Sequence, residues 1–168
     1  MALDPNVESA LQAAHDLEAT ASEKWHKQEH QFKSGLTRYP ALGKWFDRRH
    51  KEAEARKHDI RKWMISNGSE VDTNLGDTGY TDKPMEAFEA ACDLLDELTD
   101  AYGAIHVAAG EADDRETCER FHGYSKHVAD VYHDGEQRQR QLKDLGEPLF
   151  LSQMLHKKMG QKYKPKKK

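Results

Sequence analysis

At 168 residues the chain is long enough for one domain with a sizeable core. Hydrophobic residues make up 36% and charged residues 33%. That balance suits long helices burying one stripe each, and no run approaches the roughly 18 apolar residues of a membrane span. The net charge of −4 hides an asymmetry: residues 157–168, KKMGQKYKPKKK, hold seven lysines and no acid. Removing those seven from the 26 basic residues leaves 19 against 30 acidic, a body at −11. Such a body attracts cations. The tail reads as disordered, with Lys157, Lys158, Lys162, Lys164, Lys166, Lys167 and Lys168 suited to DNA or to plain solvation. The N-terminus lacks a basic-then-apolar leader pattern, so a cytoplasmic protein is expected. Cys92 and Cys118 fall in predicted helices and read as free thiols in a reducing compartment.

In chain order, Asp4-Pro5 sets an N-cap before a first-turn proline, and a helical pattern runs to Gly35. Its buried stripe is Val7, Leu11, Ala14, Ala21, Trp25 and Phe32. Pro40 opens a second helix to Gly68, burying Leu42, Phe46, Ala53, Ile60, Trp63 and Met64. Residues 68–83 are polar and glycine-rich without a helical period, and read as a long connection. Pro84 opens a third helix, ending near Gly110, with Phe88, Cys92, Leu95, Leu98, Tyr102 and Ile105 inside. Asp113 and Glu116 read as a capping-box pair for a fourth helix, which buries Phe121, Tyr124, Val128, Val131 and Leu142 and stops at Gly146. Pro148 opens a short fifth helix. The expectation is an all-α domain over 1–156, an up-down-down-up four-helix bundle with one long crossover between helices two and three.

The chain resembles a bacterioferritin. Asp4, Val7, Leu11, Glu18 and Phe32 fall where that family has the same residues, as do Gly68, Asp114 and Gly146. GEPLFLSQM at 146–154 is similar to the family's pattern before and within the fifth helix. The resemblance covers nearly all of 4–154 and implies a ferritin-like fold. The family's di-iron centre needs a glutamate on each of two helices and Glu-x-x-His on each of the others. A compact register keeps Glu18 and Glu52 as metal ligands, but puts Ala55, Leu95, Val128 and Val131 at the remaining positions. A gapped register recruits His58, Glu97, Asp130 and His133 instead. That choice turns large apolar side chains outward, at about 1.5–3 kcal/mol each. The family's haem-binding methionine is replaced by Ala53 in the compact register or Arg56 in the gapped one, so no haem is expected.

Glu18 lies between Ala14 and Ala21 on the buried stripe, and a buried carboxylate needs a partner or a metal. His26 and His30 share a helix face, as do Glu54 and His58. His26 and Glu54 are outward in phase and read as solvated, whereas His106 and His127 border the core stripes. Trp25 with Phe32 is also similar to the Dps mini-ferritins, to which the lysine tail adds DNA contact. Two functions follow from the resemblance. One is a subunit of an iron-storage shell, an active version oxidising Fe²⁺ as a ferroxidase. The other is a catalytically silent structural or DNA-binding protein on the same fold. Phe150, Leu151 and Met154 on the fifth helix imply a closed symmetric oligomer, by resemblance a 24-subunit cage, with no membrane partner.

Overall fold

The computed structural model describes residues 2–34 and 39–146. These form four helices: α1 (Pro5–Ser34), α2 (Pro40–Ser66), α3 (Pro84–Glu111) and α4 (Arg115–Leu145). No strand occurs among the described residues, and no helix there is long and apolar enough to cross a membrane. The fifth helix and the lysine tail expected from the sequence lie outside the described residues.

Local chemistry sets the helix ends. Pro5, Pro40 and Pro84 each stand at a first helical position, where a missing N–H costs nothing. Helix α2 closes on Gly68 at φ 83°: Ser69 N–H reaches Met64 O at 3.0 Å and Gly68 N–H reaches Ile65 O at 3.0 Å. Helix α3 closes in the same way without a glycine. Asp113 takes φ 53°, Asp114 N–H reaches Ala109 O at 2.8 Å and Asp113 N–H reaches Gly110 O at 3.2 Å. The cap of α4 therefore moves one residue from expectation. Asp113 is consumed in ending α3, and Asp114 accepts from Thr117 N–H at 3.1 Å.

The predicted stripes are buried as a set, with two refinements. Trp63 and Tyr124 are only half-buried, and each donates its polar hydrogen to the facing helix: Trp63 Nε1 to the buried Thr117 Oγ1 of α4, and Tyr124 OH to Asp59 of α2. Trp45, absent from the expected stripe, is buried between Phe46 and Phe88 and donates Nε1 to Asp134 of α4 at 2.9 Å. Gly135 lets α4 come this close, since a Cβ there would meet Cys92 Sγ at 2.8 Å.

The connection from α2 to α3 is extended and lies along α1. Gln12 exchanges two hydrogen bonds with the backbone of Asp72. Asp16 accepts from the backbone and side chain of Asn74, and Thr20 Oγ1 accepts from Gly76 N–H. Gln28 exchanges two hydrogen bonds with the backbone of Thr81. Four residues of helix rise about 6.0 Å and two residues of strand about 6.6 Å, so positions 12, 16 and 20 keep step with 72, 74 and 76. The two glutamine amides stand in for the peptide groups that a neighbouring strand would supply. This strap delivers the chain to the end of the bundle where α2 began, so α3 starts beside the C-terminal half of α1.

Candidate functional site

The centre of the bundle holds a charged cluster built on Glu18. Glu18 is fully buried on α1, and Arg56, 4% exposed, projects from the stripe of α2 between Ala53 and Ile60. Arg56 Nε donates to Glu18 Oε1 at 2.6 Å and Nη2 to Oε2 at 3.2 Å. Tyr102 OH, from α3, donates to the same Oε1 at 2.8 Å. Both carboxylate oxygens are thus engaged by donors from two other helices, in the fork geometry that guanidinium makes with carboxylate. Arg56 Nη1 remains buried without a hydrogen-bond partner.

Burial pushes the Glu18 carboxyl above its ordinary range, against the pull of Arg56 and Tyr102. Burial is the largest influence on the Arg56 guanidinium and lowers it, but the charge and hydrogen bonds of Glu18, with Tyr102 and Glu52 behind them, together outweigh it and the net shift is upward. Tyr102 is held well above its usual range by burial and the Glu18 charge, which keeps its hydroxyl a donor.

A polar chain leads from this cluster to the start of α4. The Tyr102 ring meets Tyr124 edge-on at 5.6 Å, and Tyr124 OH donates to Asp59 Oδ2 at 2.7 Å. Asp59 also takes Arg120 Nη2 at 2.6 Å, and the Arg120 guanidinium lies 4.8 Å over the Trp63 ring. Trp63 in turn donates to Thr117, which is tied to Asp114. Nearby His15 is fully buried. Its Nδ1 lies 3.3 Å from Asp16 Oδ1 and its Nε2 has no partner, and burial holds its pKa below the ordinary value.

The residues singled out from the sequence separate cleanly. Glu52, the second carboxylate of the compact register, is half-buried and also meets arginines: Arg49 at 3.2 Å and Arg48 at 3.3 Å. His58, Glu97, Asp130 and His133 are exposed. Glu97 borders a groove with Asp93 and Lys24, while Asp130 borders another with Arg49 and Arg138, so the gapped register's residues do not gather at the bundle centre. Leu95 and Val128 are fully buried, and Val131 nearly so. Among the described residues, no group of three or more His, Cys, Asp or Glu side chains is placed to hold a metal ion. Lys157, Lys158, Lys162, Lys164, Lys166, Lys167 and Lys168 lie outside the described residues.

The sequence reading missed Arg56 as the partner of Glu18. The signal was present: Arg56 is three residues after Ala53 and four before Ile60, on one helical face. It also missed the pairing of Cys118 with His106, whose Nδ1 lies 3.0 Å from the sulfur. The two thiols are expected to differ. Burial pushes Cys92 up to about 12, with Glu136 and other nearby acids adding to it, whereas Cys118 is half-buried beside an imidazole. Iodoacetamide at mildly alkaline pH should therefore modify Cys118 and spare Cys92 in the folded chain. Peptide mass spectrometry reads the outcome, and equal labelling of both would place Cys92 at the surface. In comparisons with known proteins, no family model matches the chain and no curated protein matches it.

Proposed function

We propose that the chain is a ferritin-like bundle subunit with a structural role, in which Arg56 supplies the positive charge that a metal would supply to Glu18. The observation that carries this reading is the two-point contact of Arg56 on fully buried Glu18, completed by Tyr102. A carboxylate ligates a metal through the same oxygens, so an incoming Fe²⁺ would have to displace a buried guanidinium and leave it unpaired. The exposed placement of Glu97, Asp130 and His133, with Leu95 and Val128 inside, supports the same reading. The ferritin-like assignment rests on helix order, on a single crossover lying along α1, and on the sequence resemblance. The closed oligomer and the lysine-mediated DNA contact belong to this reading as its assembly and partner, and both rest on the sequence of residues 147–168.

Ferrous iron oxidation under air tests it. The wild-type chain is expected to consume O₂ and develop ferric absorbance no faster than buffer alone. Rapid turnover by the wild type that is lost in Glu18→Gln would overturn the proposal and restore the ferroxidase reading.

A further inference from the structure

Cys118 and His106 meet across the seam between α3 and α4. His106 stands near the end of α3 and Cys118 near the start of α4, so the turn between the helices folds one against the other. The sulfur is 3.0 Å from His106 Nδ1. The ring of His122, one turn beyond Cys118, lies 6.0 Å from that of His106. The thiol is half-buried and the imidazole exposed, so solutes reach the pair. Cys92 offers the contrast: it is buried, and its sulfur lies 4.0 Å from the Tyr132 carbonyl, which is no base. A largely apolar groove of about 490 Å³ runs beside the pair. Tyr102, Gly103 and His106 of α3 line it, with Phe121, His122 and Gly123 of α4. His106 belongs to both, since its ring lines the groove and its Nδ1 faces the sulfur. A Cβ at Gly103 or Gly123 would meet nothing within 4 Å, so each glycine faces open space.

We propose that Cys118 and His106 form a nucleophile–base pair that captures an apolar carbon electrophile, an α,β-unsaturated aldehyde, from this groove. A thiol within hydrogen-bond reach of a general base is the arrangement of an activated nucleophile. With its own hydrogen on Nε2, His106 accepts the thiol proton at Nδ1 as Sγ attacks the β-carbon of the aldehyde. The S–H bond breaks and an S–C bond forms. The electron pair of the C=C bond moves towards the carbonyl, and the α-carbon then takes the proton back from the imidazolium. Nothing is released and no oxidant is consumed, and the product is a saturated aldehyde carried on Cys118. The apolar walls favour a hydrocarbon chain, which leaves water on entering the groove. The inference does not rest on the structural role proposed above.

The test is the rate at which the full-length chain is modified by two enals that share a reacting group. One is crotonaldehyde, with four carbons, and the other is the straight-chain enal with nine. Peptide mass spectrometry follows the adduct at Cys118, with glutathione as the free-thiol reference and Cys92 as the buried control. In wild type the nine-carbon enal should react about tenfold faster than crotonaldehyde, beyond any difference that glutathione shows. His106→Gln keeps the side chain polar but removes the base, and should slow both reagents about tenfold or more. Gly123→Leu fills the groove, and should abolish the chain-length preference while leaving the crotonaldehyde rate within about twofold of wild type. Both variants alter exposed positions, and thermal unfolding checks that each folds. Equal rates for the two enals in wild type would overturn the proposal, as would an unchanged rate in His106→Gln.

Discussion

Arg56→Ala is expected to lower folding stability by about 3–5 kcal/mol, the cost of leaving one member of a buried ion pair alone. Glu18 would keep only the hydroxyl of Tyr102, in a place from which water is excluded. The deficit should depend on pH with a definite sign. Burial raises the Glu18 carboxyl, and without Arg56 nothing of opposite charge touches it. A group whose folded pKa lies above its unfolded value stabilises the fold below the unfolded value, and that contribution is lost as pH rises through the folded one. The variant should therefore approach wild type in mildly acid buffer and fall furthest behind at neutral and alkaline pH. The double substitution Glu18→Leu/Arg56→Met removes both charges while keeping similar volume, and should lie within about 1–2 kcal/mol of wild type. Urea unfolding followed by the fluorescence of Trp25, Trp45 and Trp63 measures all three proteins. A loss below 1 kcal/mol for Arg56→Ala would mean that Glu18 does not depend on the guanidinium.

What the sequence disclosed and what it withheld divide along a physical line. Features encoded within one helix were legible: the prolines that open helices, Gly68 that closes one, and stripes of apolar residues repeating at helical period. Even the displaced cap of α4 follows from adjacent aspartates, of which one had to take the left-handed turn ending α3. Features that need the register between helices were not. Glu18 could be flagged as a buried carboxylate in want of a partner, but Arg56 lies 38 residues away and becomes its partner only once α1 and α2 are aligned. The strap along α1 shows the division inside one element. The four-residue spacing of Gln12, Asp16 and Thr20 is visible in the sequence, whereas its match to alternate residues of an extended connection depends on where that connection runs.

Val128→Glu should be the most damaging change on α4, destabilising by about 3–5 kcal/mol. Val128 is fully buried, as is Leu95 of α3, and Val131, three residues on along α4, is nearly so. A glutamate there adds a buried carboxylate to a core in which, among the described residues, Glu18 is the fully buried carboxylate and already engages Arg56 with both oxygens. It would either hold a proton at neutral pH or drive α4 to rotate, and both routes cost stability. The same helix provides its own controls. Asp130→Ala and His133→Ala, two and five residues further on, alter exposed side chains, and each should change stability by less than about 0.5 kcal/mol. The contrast reads the rotational phase of α4 directly. If Val128→Glu is tolerated while Asp130→Ala and His133→Ala are costly, the helix presents its other face to the core and the carboxylate–imidazole pair belongs inside. The expected order, with damage confined to Val128, leaves the bundle centre to Glu18, Arg56 and Tyr102.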